Sequence, residues 1–270
     1  MATEARIWPD IAIPPGELLA ETLQTLGLRQ AELARRTARP AQAINEIIRG
    51  TKEITAETAL QLERVLGVPA HVWVRLEADY RFTRARLEDR TRLKGELPLA
   101  SRYPYPAMAA LGWVESTRNA LERVHELLRF FGVVSLRQVR AIEATAFRRS
   151  RKVSGSPEAL AAWLRQGRRA AQGRPVAGFS APRLRAALAV LRGLTTRPPG
   201  EFEPRLGRVL ADAGVAWVLV PHLPGTGAHG ATRWLSSDRA LIQTSLRYGW
   251  DDVFWFSLFH ELGHLLLHGR

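Results

Sequence analysis

The strongest constraint on the fold is a series of short apolar periods in the first 80 residues, separated by glycines. Leucines recur at helical spacing after Pro15, and Gly27, Gly50 and Gly67 follow the ends of three such periods. Apolar residues three or four positions apart predict helices with one buried face. Glycine readily takes the left-handed conformation that ends a helix. The pattern therefore predicts five short helices packed together within residues 1–80.

A three-residue turn, Ala38-Arg39-Pro40, joins the second of these helices to the third. Two helices joined in this way form a helix-turn-helix, in which the second helix lies in the major groove of DNA. The amides of Gln42 and Asn45 can pair with adenine, and Arg49 can reach guanine or phosphate. Gln30 and Lys52 are placed to contact phosphates. The predicted DNA-binding residues are Gln30, Ala41, Gln42, Asn45, Glu46, Arg49 and Lys52.

Residues 12–80 resemble the XRE-type repressors, and within them the group that holds HigA-like antitoxins. The resemblance rests on Pro15-Gly16-Glu17, Gln30-Ala31-Glu32-Leu33-Ala34-Arg35, Ile47-Ile48-x-Gly50 and Ile54-Thr55-x-Glu57-Thr58-Ala59-Leu60. It implies a lambda-repressor-like DNA-binding domain at 1–80, a double-stranded operator as its ligand, and a symmetric homodimer. Arg39 departs from the family, which usually has an apolar residue there. A five-helix domain used only for dimerisation is the alternative.

The composition favours a polyanionic partner and a cytoplasmic location. The chain has 39 Lys+Arg against 26 Asp+Glu, a net charge of +13, which attracts polyanions. An arginine-rich coding bias that leaves a solvated basic surface is the alternative. The absence of cysteine excludes disulfides and thiolate metal ligands. Neither a signal peptide nor a long apolar run is present, so no membrane association is expected.

Residues 81–200 are predicted to form a helical connector whose function the pattern does not specify. Apolar residues at helical spacing run from Leu121 to Leu128, and Gly132 follows the end of that period. The basic run Arg148-Arg149-Ser150-Arg151-Lys152 predicts a solvated loop, with DNA contact as the alternative.

The chain contains an H-E-x-x-H motif at residues 260–264, in a predicted helix that follows three strand candidates. Positions i and i+4 share a helix face, so His260 and His264 can bind one zinc ion at about 2.0–2.1 Å. Glu261 lies at the edge of that face and can take a proton from zinc-bound water. Gly263, inside the helix, predicts a close approach by another element. A helix whose histidines are merely packed or paired is the alternative.

Residues 200–270 are similar to the ImmA/IrrE zinc peptidases. The similarity rests on Gly230-Ala231-Thr232-x-Trp234-Leu235, Leu241-Ile242-x-Thr244-Ser245-Leu246-Arg247 and the stretch from Asp252 to His264. It implies a zincin-like domain at 201–270 that cleaves a repressor or antitoxin in stress or mobile-element control. The expected fold is thus mostly α, with a helical connector at 81–200 and a small α+β part at the C-terminus.

The family's third zinc ligand is an acidic residue from a helix after the motif, which this sequence does not contain. His268 is eight residues from His260, about 12 Å along a helix axis, and is too far to share the ion. Arg270 stands where a metzincin has its third histidine, and His222 and His229 are expected in loops. These observations predict a C-terminally truncated peptidase domain, or one whose remainder a partner chain supplies. The alternative is a non-catalytic regulator whose peptidase-like part only senses or binds a partner.

Overall fold

The structure is a computed structural model that describes residues 10–142, 155–246 and 251–267. It divides into two compact units, Met1–Lys94 and Gly95–Arg270, called here the N-terminal and the C-terminal unit. The basic run at 148–152, His268 and Arg270 lie outside the described residues. Within the described part, no helix is both long and apolar enough to cross a membrane.

The N-terminal unit folds as five helices around one core, as the apolar periods predict. The helices are α1 (Pro15–Thr25), α2 (Gln30–Arg36), α3 (Ala41–Ile48), α4 (Ala56–Leu66) and α5 (Ala70–Lys94). Their inner faces bury Leu19, Leu33, Ile44, Leu62 and Trp73 completely. α5 continues well past the last apolar period, and ion pairs such as Arg84 with Glu88 (3.0 Å) support its polar part.

Local signals in the sequence account for the ends of α4. The hydroxyl oxygen of Thr55 accepts a hydrogen bond from the backbone N–H of Thr58 (3.2 Å), which caps the first turn. Gly67 ends the helix in the left-handed conformation, with φ of 75°. The conformation of Gly67 confirms the predicted end of this helix, and Thr55 accounts for its start.

The turn between α2 and α3 is held by polar contacts. Ala38 takes a left-handed conformation, with φ of 53°. The half-buried Arg39 donates through Nε to Oε1 of Gln61 (2.5 Å), and its Nη2 lies 3.4 Å from Oε1 of Glu57. Arg39 thus ties the turn to α4 by hydrogen bonding.

The C-terminal unit combines eight helices and a three-stranded sheet within the described residues. Its helices are α6 (Leu97–Ala100), α7 (Tyr105–Ala110), α8 (Ala120–Phe131), α9 (Arg137–Ile142), α10 (Pro157–Ala171), α11 (Ala181–Leu194), α12 (Pro199–Asp212) and α13 (Asp251–Leu267). Its strands are β1 (Val215–Leu219), β2 (Gly230–Ser236) and β3 (Arg239–Thr244). The chain is therefore mostly helical with a small sheet, as expected.

The sheet has the order β1-β3-β2, so β3 is central and β2 is an edge strand. β1 pairs with β3 in parallel (Trp217 opposite Ile242), and β2 pairs with β3 antiparallel (Thr232 opposite Ile242). Successive side chains of a strand point to opposite faces. Ile242 therefore joins the core formed with α11, α12 and α13, whereas Gln243 faces α10 and donates to the carbonyl oxygen of Trp163 (3.0 Å).

Candidate DNA-reading surface and candidate metal site

The seven predicted DNA-binding residues lie on α3 or beside it, and they are called here the α3 surface. Ala41, Gln42, Arg49 and Lys52 are exposed, and Asn45 and Glu46 are half-buried. Gln30 is also exposed and begins α2. The side-chain amide of Asn45 donates to Oε1 of Gln30 at 3.5 Å. This contact brings the start of α2 to the middle of α3, as the helix-turn-helix prediction requires.

Glu46 organises the C-terminal half of the α3 surface. Its Oε1 accepts from Nε2 of Gln42 (2.8 Å), and its Oε2 lies 3.8 Å from Nζ of Lys52. Its backbone carbonyl also accepts from the backbone N–H of Lys52 (3.2 Å). The carboxylate of Glu46 thus holds both Gln42 and Lys52. Gln42 is bonded to it through the amide nitrogen and not through the amide oxygen.

Two arginines on the outer side of α2 share one carboxylate of the same helix. Glu32 accepts hydrogen bonds from Arg36 (2.8 Å) and from Arg35. The guanidiniums of Arg36 and Arg35 hold the pKa of Glu32 below its ordinary value. The two arginines are therefore paired with a carboxylate on their own helix.

The two histidines of the H-E-x-x-H motif converge on α13. Their Nε2 atoms are 3.2 Å apart. Two nitrogens bound to one tetrahedral zinc ion at about 2.0–2.1 Å would be separated by about 3.3–3.4 Å. The ring of Phe256, which is 74% exposed, stacks on the His260 ring with centroids 6.2 Å apart. As a donor pair, His260 and His264 fit zinc.

Glu261 lies against the edge strand β2. It is only 8% exposed, and its Oε2 accepts a hydrogen bond from Oγ1 of Thr232 (2.6 Å). A Cβ added to Gly230 would lie 2.8 Å from Cγ of Glu261. The structure thus assigns supporting roles to Thr232 and Gly230, which the sequence analysis named only as part of a family resemblance. A glycine at the start of a strand is a known signal of close approach.

The prediction that Gly263 marks a close approach is wrong. A Cβ at Gly263 would meet nothing within 4 Å. The close approach to the motif comes instead at Gly230. The spacing of the motif does not reveal which glycine faces a neighbour, because that depends on how β2 packs against α13.

No third metal ligand joins the pair in the part of the chain that the structure describes. No group of three or more His, Cys, Asp or Glu residues suited to a metal occurs among these residues. Nδ1 of His222 lies 3.3 Å from Oγ1 of Thr226, and the backbone carbonyl of His229 accepts from the N–H of Ser245 (2.9 Å). Both histidines lie between β1 and β2, in the loop predicted for them.

Comparisons with known proteins match the N-terminal part of the chain. A protein family described as "Helix-turn-helix" matches residues 19–73. The virulence-associated protein I of Dichelobacter nodosus is 36% identical over 91 residues, which span 33% of this chain and 83% of that protein. The family match includes α2, α3 and the turn between them.

Solved structures with sequence similarity include two antitoxin proteins. One is an addiction module antidote protein of the HigA family from Coxiella burnetii, with 32% identity and a TM-score of 0.29, covering 32% of this chain and 94% of that one. Another is the Pseudomonas aeruginosa antitoxin HigA with the higBA promoter, with 30% identity and a TM-score of 0.30, covering 32% of this chain and 95% of that one.

Proposed function

Because this chain belongs to the XRE-type family of helix-turn-helix proteins, we propose that its N-terminal unit binds a double-stranded DNA operator. The protein would then act as a transcriptional regulator of the HigA-like antitoxin type. One observation carries the proposal. The seven residues predicted for DNA contact share one surface, and Asn45 on α3 contacts Gln30 at the start of α2.

In this proposal α3 lies in the major groove, with its outward side chains against the base edges. Gln42 and Asn45 contact bases, and Arg49 contacts a base or a phosphate. Each good bidentate contact of this kind discriminates between bases by about 1–3 kcal/mol. Gln30 and Lys52 contact phosphates and fix the register of the helix on the duplex. A symmetric homodimer would place two half-sites about one helical turn apart.

Selection of bound duplexes from a random library, followed by fluorescence anisotropy, tests the proposal. Gln42→Ala and Asn45→Ala should each lower the affinity for the selected duplex about tenfold, because each removes one base contact. Affinity for a random duplex should change much less. Gln24→Ala removes an exposed amide from α1 and is the matched control. Equal losses in all three variants, or no loss at all, would contradict the assignment of the α3 surface.

We also propose that the C-terminal unit is a zinc-binding, ImmA/IrrE-like peptidase domain. His260 and His264 would hold the ion, and the 3.2 Å between their Nε2 atoms supports this role. Bound zinc would supply a water molecule of lowered pKa. Glu261, held against β2 by Thr232, is the carboxylate placed to accept a proton. The protein substrate would be a repressor or an antitoxin.

Calorimetric titration of the full chain with zinc tests the metal site. We expect the wild type to bind zinc, and His260→Ala and His264→Ala each to lose that binding. His125→Ala, on α8, is the matched control and should bind as the wild type does. A wild type that takes up no zinc, or histidine variants that keep full affinity, would overturn the site.

A separate substitution distinguishes a peptidase from a non-catalytic regulator. Glu261→Gln keeps both histidines but removes the proton acceptor. If the domain cleaves its partner, this variant should bind zinc and leave the partner intact in cells. Regulation that persists in Glu261→Gln would favour the alternative, in which the domain only senses or binds a partner.

A further inference from the structure

The positive charge of the chain is concentrated outside the helix-turn-helix. Residues 1–94 contain 15 Lys+Arg and 13 Asp+Glu, an excess of two. Residues 95–270 contain 24 Lys+Arg and 13 Asp+Glu, an excess of eleven. Most of the net charge of +13 therefore belongs to the C-terminal unit, and the helix-turn-helix unit is close to neutral.

Ion pairs involve many of the cations of the N-terminal unit. In the described part of the N-terminal unit, nine cations lie in ion pairs: Arg35, Arg36, Arg39, Lys52, Arg75, Arg81, Arg84, Arg90 and Arg92. In the described part of the C-terminal unit, Arg129, Arg140 and Arg197 lie in ion pairs.

Helix α11 concentrates this charge on a solvent-exposed face. Its 14 residues include three exposed arginines and no acidic residue. Arg185 and Arg192 are seven positions apart, which places them on one flank of the helix and about 10.5 Å apart along its axis. Within the described residues neither forms an ion pair. The opposite face, with Leu184 and Leu191, is buried in the core.

We propose that the exposed face of α11 is a second DNA-contact surface, which binds the phosphate backbone of a duplex without reading its sequence. Arginine is suited to this role because its planar guanidinium can hold a phosphate with two hydrogen bonds. The inference rests on the proposed function, since α3 brings the chain to DNA. α11 then supplies electrostatic affinity that the nearly neutral N-terminal unit lacks.

The composition of the face favours duplex DNA over other polyanionic partners. Between Arg185 and Arg192 the exposed positions are Ala186, Ala189 and Val190, and α11 contains no aromatic residue. Single-stranded nucleic acids are held by bases stacked on aromatic rings. Cations set among small side chains instead suit contact with a duplex backbone.

The salt dependence of binding to a random-sequence duplex tests the proposal in the full-length chain. The double variant Arg185→Glu, Arg192→Glu should lower the affinity at least about tenfold at low salt. It should also reduce the slope of log K against log salt by about two, because each lost phosphate contact accounts for about 0.9. The double variant Arg118→Glu, Arg129→Glu is the control, because it changes the net charge of the same unit by the same amount. It should change the affinity less than about threefold.

Equal losses in the two double variants would mean that the charge acts diffusely, and would overturn the proposal. So would unchanged affinity in Arg185→Glu, Arg192→Glu, or a loss confined to single-stranded DNA, RNA or an acidic protein. The neutral pair Arg185→Gln, Arg192→Gln should show a smaller loss with an unchanged circular dichroism spectrum. The preference for a selected duplex over a random one should survive in all these variants. Its absence from the wild type would refute the proposed function instead.

Discussion

The hydroxyl of Thr232 on β2 donates a 2.6 Å hydrogen bond to Oε2 of Glu261 on α13. The same hydroxyl lies 3.2 Å from the backbone carbonyl oxygen of Glu261. The edge strand therefore fixes both the side chain and the backbone of the central acid of the motif. Gly230, at the start of the same strand, leaves room for the carboxylate to sit there.

Replacing Gly230 should test this packing. In Gly230→Ala the new methyl group would lie 2.8 Å from Cγ of Glu261, so we expect the free energy of unfolding to fall by about 1–3 kcal/mol. Gly263→Ala is the control, because its methyl group meets nothing within 4 Å. It should stabilise the helix by up to about 1 kcal/mol. Urea denaturation measures both, and effects of the same sign and size would contradict the structure.

The hydrogen bond itself can be removed without changing the volume of the side chain. Thr232→Val leaves Oε2 of the largely buried Glu261 without this donor, so the unfolding free energy should fall by about 1–3 kcal/mol. Thr232→Ser keeps a hydroxyl and should retain most of the stability. A valine variant as stable as the serine variant would show that the bond contributes nothing.

In the N-terminal unit, Gly16 is the glycine at which another element approaches closely, as Gly230 is in the C-terminal unit. A Cβ there would lie 2.3 Å from the backbone oxygen of Ile48, so Gly16→Ala must push α1 and α3 apart. We expect a loss of about 3 kcal/mol in unfolding free energy and weaker DNA binding. Gly27→Ala adds a methyl group to open space and should cost only the strain of a left-handed alanine, about 1 kcal/mol. Thermal unfolding of the two variants separates the cost of the steric clash at Gly16 from the cost of backbone strain at Gly27.

Glu46 places a negative charge on the α3 surface. Glu46→Ala should release Lys52 and raise the affinity for random duplexes about threefold at low salt, with a salt slope larger by about one. The preference for the selected duplex should fall, because Gln42 is no longer held by the carboxylate. Glu21→Ala removes an exposed charge from α1 and controls for net charge. Identical anisotropy titrations of the two variants would contradict this role for Glu46.

Sequence reasoning succeeds where local chemistry determines the structure. The apolar periods and the glycines that follow them, such as Gly67, are local signals, and they predict the N-terminal helices before any tertiary contact is known. The length of α5 is harder to predict because its last part is polar and relies on ion pairs such as Arg84 with Glu88.

The features missed by sequence reasoning depend on packing between distant residues. Thr232 and Gly230 acquire their roles only because β2 lies beside α13, 29 and 31 positions away from Glu261 in the chain. The net charge of +13 pointed to a polyanion, but a total does not say which part of the chain carries it. The division into two units shows that the C-terminal unit carries most of the excess, whereas the predicted DNA-reading helix belongs to the N-terminal unit.

The most direct test of the central claim is the ratio of two equilibrium affinities of the full-length chain at physiological salt. One is for a duplex selected by the protein from a random library, and the other is for a scrambled duplex of the same length. We predict a ratio of about a thousand or more, reduced about tenfold in Asn45→Ala. Equal affinities for the two duplexes would contradict the account, because they would show that the α3 surface reads no sequence.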